Sequence, residues 1–188
     1  MYLDKYRLDG KVALITGGSR GIGRATALGF AEAGANVAIA SRKLPDLENV
    51  AQEIRKLGRK ALPVAAHLGR MEDINSLVSR VTDEFGKIDI LVNNAGTSPA
   101  LASSLEVDER LWDSVMNLNL KGLFFLSQAV AEVMKEHSGG RIINVASMDG
   151  FRPEANIGTY AISKAGVVMV SKVMALELAQ DNNRVNGI

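Results

Sequence analysis

Short β-branched apolar runs alternate along this chain with stretches whose apolar residues recur every three or four positions. The first run, Val12 to Thr16, predicts a strand, and the spacing from about Gly21 to Ala33 predicts a helix. The alternation continues with a strand over Asn36 to Ser41, a helix from about Pro45 to Leu57 and a strand over Ala61 to His67. A helix from about Met71 to Phe85 and a strand from Ile88 to Asn93 follow. One long helical region then runs from about Asp108 to Glu136 and stops at Gly139-Gly140. Strand Arg141 to Ser147, a helix from about Tyr160 to Ala179 and a strand from Arg184 to Ile188 complete the pattern. Gly34, Gly58 and Gly86 each follow a helix, where a residue free to take positive φ ends it. Right-handed β-α-β crossovers of this kind build a parallel sheet with helices on both faces. No repeat or linker interrupts the order, so residues 1–188 read as a single doubly wound α/β domain.

Composition narrows the functional classes. The chain of 188 residues is 47% hydrophobic, enough for one substantial core. Its 22 Lys and Arg stand against 21 Asp and Glu, a net charge of +1. No broad field therefore points to nucleic acid or an anionic membrane, and any anion site must be local. Cysteine is absent, which excludes disulfides, thiolate nucleophiles and Cys-ligated zinc and suits the cytoplasm. With only His67 and His137 present, no metal site is expected. Lys121 and Lys172 interrupt the longer apolar stretches, so no membrane span is expected either.

Three clusters carry candidate chemistry. A glycine-rich turn, Thr16-Gly17-Gly18-Ser19-Arg20-Gly21-Ile22-Gly23, joins the first strand to the first helix. Gly17 and Gly21 would let the backbone turn tightly beside a pyrophosphate, and Gly23 would allow close packing at a helix N-terminus that favours negative charge. Alone, such a turn is also an ordinary tight connection. Tyr160 and Lys164, in Tyr-Ala-Ile-Ser-Lys, share one helix face, so the ammonium can favour the phenolate and bring a proton within reach of a carbonyl oxygen. By spacing alone they are equally a surface pair, Ser147 a strand end and Asn119 a cap. At the end of the second strand, where a carboxylate would select a ribose 2′-hydroxyl, the chain has Ser41, Arg42 and Lys43. A hydroxyl and a guanidinium there favour a 2′-phosphate, with Arg20 able to close on it, so NADP(H) is preferred and NAD(H) remains possible.

Taken in order, these motifs resemble the short-chain dehydrogenase/reductase family in its classical branch, near the carbonyl reductases and 3-oxoacyl reductases. Thr16 to Gly23 match the family's T-G-x-x-x-G-x-G turn, Asn93-Asn94-Ala95-Gly96 its N-N-A-G segment, Asn119 its helix asparagine, and Ser147, Tyr160 and Lys164 its serine and Y-x-x-x-K. The resemblance implies a Rossmann-type fold. It also implies a cofactor held by Gly17, Ser19, Arg20, Gly21, Ile22, Gly23, Ser41, Arg42, Lys43, His67, Leu68, Asn94, Ala95, Gly96, Tyr160 and Lys164. Tyr160 would be the general acid or base, Ser147 would bind the reacting oxygen, Lys164 would hold the nicotinamide ribose and tune Tyr160, and Asn119 would hold a water joining Lys164 to solvent. Asn93 and Asn94 are expected to fix the strand end without a catalytic part. His67 stands where the family commonly has Asp; it could stack on the adenine or simply satisfy a strand end.

Beyond the stretch matching Arg184 to Ile188, the family continues into a Pro-Gly turn, a substrate-covering region and a last strand. The sequence is therefore expected to be part of a longer chain, or else a natural truncation without lid and final strand. The pocket wall is expected from Thr97, Ser98 and Pro99 and from Met148 to Arg152, which do not name the small carbonyl or alcohol substrate. A homodimer or homotetramer is expected through the two long helices, with Leu123, Phe124, Phe125, Val167, Val168 and Met169 at the contact. The alternatives in other classes are a non-catalytic nucleotide-binding regulator and a structural subunit.

Overall fold

The computed structural model describes residues 5–152 and 154–188. Six parallel strands form one sheet: β1 (Val12–Thr16), β2 (Asn36–Ser41), β3 (Ala61–Ala65), β4 (Ile90–Asn93), β5 (Arg141–Asn144) and β6 (Arg184–Gly187). Their order is β3-β2-β1-β4-β5-β6, so the chain winds outward from β1 in both directions. The helices are α1 (Gly21–Glu32), α2 (Leu44–Lys56), α3 (Met71–Phe85), α4 (Glu109–Met116), α5 (Leu123–Glu136) and α6 (Gly158–Glu177).

Alternation along the buried strands assigns each helix its face. Ala13, Ile15, Val37, Ile39 and Val92 point to one side and pack on α1 and α2 through Ala27, Ala31, Leu47 and Ile54. Val12, Leu14, Ala38, Leu91 and Ile142 point to the other, against Ile74 and Leu77 of α3, Leu126 and Met134 of α5, and Met174 of α6. The expected helix-ending glycines take φ of 111° at Gly34, 77° at Gly58 and 76° at Gly86.

The structure departs from the sequence reading at five elements. The long helical region is not one helix, because α4 and α5 are joined by a π-helical segment, Asn117–Gly122. Strand β3 stops at Ala65, since the His67 amide donates to the Asp73 carboxylate at 2.7 Å and turns the chain into α3. Strand β4 begins at Ile90 rather than Ile88, and β5 ends at Asn144, freeing the backbone from Val145 to Ser147 for the site. Finally, α6 has the length and mean hydropathy, 1.2, of a membrane span, which the charge-interruption argument did not anticipate. Its packing accounts for part of that composition: Ala161, Val167 and Met174 are buried together with Thr159, Ser163, Lys164 and Ser171, while Ile162, Met169 and Leu176 stay exposed.

Candidate active site

The glycine turn is stitched to its neighbours on both sides. Gly17 and Gly18 amides donate to the Ala40 carbonyl at 2.8 and 3.3 Å, placing the turn beside the end of β2 and Ser41. On the other side, Asn94 Nδ2 donates to the carbonyls of Thr16 at 2.8 Å and Gly17 at 3.3 Å, and Thr16 Oγ1 accepts from the amides of Asn94 and Ala95, each at 3.0 Å. Gly17 has φ +65°, and a Cβ on it would lie 2.6 Å from Asn94 Nδ2; one on Gly23 would lie 2.5 Å from the same atom. Glycine is therefore required at both positions by close approach. At Gly21, φ is +56° and nothing lies within 4 Å of where a Cβ would stand.

That open side faces an uncapped helix end. Arg20, at the N-cap of α1, makes no side-chain cap, and the first turn holds no acid. Its orphan amides and partial positive charge suit a diphosphate, so the residues present fit a dinucleotide. Ser19 and Ile22 border the same turn, Ile22 with 63% of its surface exposed. Among the described residues no carboxylate pairs with Arg20, Arg42 or Lys43.

At the ends of β4 and β5 a second cluster forms around α6. Lys164 is 5% exposed; its Nζ donates to the Val145 carbonyl at 2.7 Å and stands 5.7 Å from the centre of the Tyr160 ring. Burial pushes the Lys164 ammonium below the ordinary lysine value. Asn119 lies in the π-helical segment, 1% exposed. Its Oδ1 accepts from the Thr97 amide at 2.8 Å, and its Nδ2 donates to the Thr97 carbonyl at 2.9 Å and to Ser163 Oγ at 3.1 Å. Ser163 in turn donates to the Tyr160 carbonyl at 2.7 Å. A Cβ on Gly96 would stand 3.4 Å from Asn119 Oδ1 and 3.7 Å from Lys164 Nζ, so the N-N-A-G segment borders the same space. Tyr160 also lines a small cavity with Ser98, Ala102, Leu111, Val115 and Ile157.

The segment Asn94-Ala95-Gly96 thus joins a strand–glycine turn–helix with an open N-terminus to a buried Lys and its Tyr on one helix. The short chain dehydrogenase family model matches residues 11–188. The chain belongs to the short-chain dehydrogenase/reductase family. It is 42% identical to 2-dehydro-3-deoxy-D-gluconate 5-dehydrogenase from Escherichia coli, over all of this chain and 74% of that protein. It is 40% identical to a 3-oxoacyl-[acyl-carrier-protein] reductase from Thermotoga maritima, over 97% of this chain and 74% of the relative. A solved 7α-hydroxysteroid dehydrogenase, complexed with NADH and 7-oxo glycochenodeoxycholic acid, superposes with a TM-score of 0.94 at 35% identity, covering 98% of this chain and 71% of that one. The dehydrogenase/reductase is thus an oxidoreductase of the class acting on carbonyl and alcohol groups.

Within this dehydrogenase/reductase, the expected residues fall into three groups. Tyr160, Lys164, Asn119 and Gly96 come together, while Gly17, Gly21, Gly23, Asn94 and Ala95 form the turn and its support. Ser147 lies at the start of a short helical turn, Met148–Gly150, seated on α6: a Cβ on Gly150 would be 3.0 Å from the Lys164 carbonyl oxygen. Its hydroxyl donates to Asp149 Oδ2 at 3.0 Å. His67 uses Nδ1 to accept from the Gly69 amide at 3.2 Å, and Leu68 is buried in the core. Asn93 is structural: its Nδ2 donates to Ser127 Oγ at 2.8 Å and Asn144 Oδ1 at 2.9 Å, and Asn144 continues to Ser171 at 2.9 Å. Sequence reasoning missed Ser163, and it placed Thr97 and Asp149 only in the pocket wall, without their partners Asn119 and Ser147. The position of Ser163 between Tyr160 and Lys164 was a signal for the first; nothing in spacing marked the partners of the other two.

Proposed function

We propose that this dehydrogenase/reductase moves a hydride between NADP(H) and a carbonyl or secondary alcohol, with Tyr160 as general acid or base. The observation that carries the reading is the buried Lys164, aimed at Val145 and beside the Tyr160 ring, on the same helical turn that Ser163 ties to Asn119. In reduction, the Tyr160 hydroxyl gives its proton to the substrate oxygen as hydride reaches the carbonyl carbon; in oxidation the phenolate takes it back. Lys164 stabilises that phenolate and binds the nicotinamide ribose, and Ser147 donates to the reacting oxygen. The nicotinamide, when bound, supplies or accepts the hydride.

Asn119 serves this relay by position. Both hydrogens of its amide are taken by Thr97 and Ser163, so any water that joins Lys164 to solvent is held by the remaining acceptors of the π-helical segment. The NADP(H) preference rests on the Ser41 hydroxyl and on Arg42, Lys43 and Arg20, cations that pair with no carboxylate among the described residues, with Ser19, Ile22 and His67 around the same nucleotide. The lack of cysteine supports a reducing, cytoplasmic setting, and the exposed apolar stripe of α6 supports a homo-oligomer.

Nucleotide titration followed by a carbonyl and alcohol panel tests the reading. Tyr160→Phe should bind NADPH as the wild type does and lose at least ~10²-fold in turnover. Nucleotide binding without turnover on any carbonyl or alcohol would instead favour a regulator.

A further inference from the structure

Ser147 has one hydroxyl hydrogen and two claims on it. In the structure that hydrogen goes to Asp149 Oδ2 at 3.0 Å, while the Asp149 amide donates back to Ser147 Oγ at 3.2 Å. The proposed reaction needs the same hydrogen at the substrate oxygen. Among the described residues, Ser147 is the sole side-chain donor to Asp149, and no Lys, Arg or His pairs with it. When Ser147 turns to a substrate, the half-buried carboxylate loses its donor.

A ligand that brings its own hydroxyl next to the reacting oxygen removes that loss. Vicinal oxygens are spaced like hydrogen-bonded neighbours, as Ser147 Oγ and Asp149 Oδ2 are here. One ligand oxygen then accepts from Ser147 while the adjacent hydroxyl donates to Asp149, which exchanges one hydrogen bond to a charge for another and leaves no acceptor bare. A plain ketone or alcohol satisfies Ser147 but brings no donor to Asp149, which then has only solvent in place of the lost hydroxyl. The turn that carries both residues cannot relax easily, because Gly150 packs against the backbone of Lys164 and Ala165.

We propose that Asp149 is a substrate-recognition residue that selects carbonyls and alcohols bearing a hydroxyl on the neighbouring carbon, α-hydroxy carbonyls and vicinal diols, over their unsubstituted counterparts. The inference rests on the oxidoreductase reading of the same site. It adds a subsite: Asp149 does not touch the reacting atoms but orients the carbon next to them. The exposed Met148 and Phe151, 71% and 65% accessible, flank the turn and offer apolar contact to the remainder of such a substrate.

The test pairs ligands of one skeleton, 2,3-butanediol and 2-butanol. Each is titrated into the 188-residue chain, with and without saturating NADPH, and followed at the Ser147 and Asp149 backbone amides by NMR. Wild type should bind the diol about tenfold or more tightly, the worth of one hydrogen bond to a charged group. Asp149→Ala should bring the two affinities together, and Asp149→Asn, which keeps an acceptor in the same shape, should fall between. A parallel kcat/KM comparison of 3-hydroxy-2-butanone with 2-butanone should show the same ratio and the same collapse. Equal affinity of the wild type for the two alcohols, absence of binding by both included, overturns the proposal, and so does a preference that Asp149→Ala leaves intact. Failure of the oxidoreductase reading looks different: no turnover of either ketone, with the diol preference and its loss in Asp149→Ala unchanged.

Discussion

Two side chains, Arg42 and Lys164, carry most of the charge logic of the site. Arg42 is exposed just beyond β2, one residue past Ser41, and the glycine turn is bonded to Ala40 alongside. Arg42→Ala should weaken NADPH far more than NADH, by about 1.5–3 kcal/mol for one lost charge-assisted contact. Fluorescence titration with both nucleotides checks it, and equal losses would mean that Arg42 does not read the phosphate. Lys164 links stability to pH. Burial lowers its folded-state pKa below the ordinary 10.5, so between the two values the unfolded chain holds a proton that the folded chain has released. Stability from this group therefore rises with pH across that window and is lost as pH falls through the lowered value. Urea denaturation of wild type and Lys164→Met across alkaline pH should show a rise that the variant lacks. Parallel curves would remove Lys164 as its source.

Among the elements, the π-helical segment Asn117–Gly122 does what a regular helix could not. It turns Asn119 inward between the loop after β4 and α6, and it lets Gly122 approach Leu68 so closely that a Cβ there would run into the Leu68 carbonyl oxygen. Residues 108–136 read as one helical region because the π-turn continues the helical path between αR residues at Met116 and Leu123 without a break. What fixes the segment is tertiary: Thr97 and Ser163 take all the donors of the Asn119 amide. Ser163→Ala would leave one of those donors buried and unpaired, which costs about 1–3 kcal/mol. Chemical denaturation should report that loss, and turnover should fall with it; stability within error of wild type would show that Asn119 finds another acceptor.

For the whole molecule, the question is which apolar surface is left over. Of the residues expected at a contact between copies, Leu123 and Val167 are buried in the subunit's own core, and Phe124 and Phe125 pack edge to face at 5.4 Å against it. Leu123 and Val167 are thus withdrawn from a partner, whereas Phe124, Phe125 and Val168 keep part of their surface. Met169, at 57% exposure, stays available and continues with Ile162, Val173 and Leu176, the last at 81%, as one stripe along α6. A second copy packed on that stripe should make the chain's light-scattering mass exceed that of a monomer, and Met169→Glu with Leu176→Glu should return it to one. A wild-type mass that stays monomeric at all concentrations would sink the assembly.

Alternation and spacing determined the order of strands and helices here, because each buried strand and each helix face needs its own apolar period whatever the rest of the chain does. They also determined the glycine turn and the Tyr160–Lys164 pair, whose partners lie within a few residues of one another. The family resemblance drawn from those motifs was borne out by the match over residues 11–188. Only the tertiary structure decided the contacts made across long sequence separations. Asn119 meets Thr97 and Ser163, and Asn93 reaches Asn144 and Ser127, because the parallel sheet brings the ends of β4 and β5 together over α5 and α6. It alone decided that Ser147 donates its hydrogen bond to Asp149, since a hydroxyl two residues from a carboxylate bonds to it only when the turn between them folds back. Those choices follow from satisfying buried polar groups in three dimensions, a condition that periodicity along the chain does not encode.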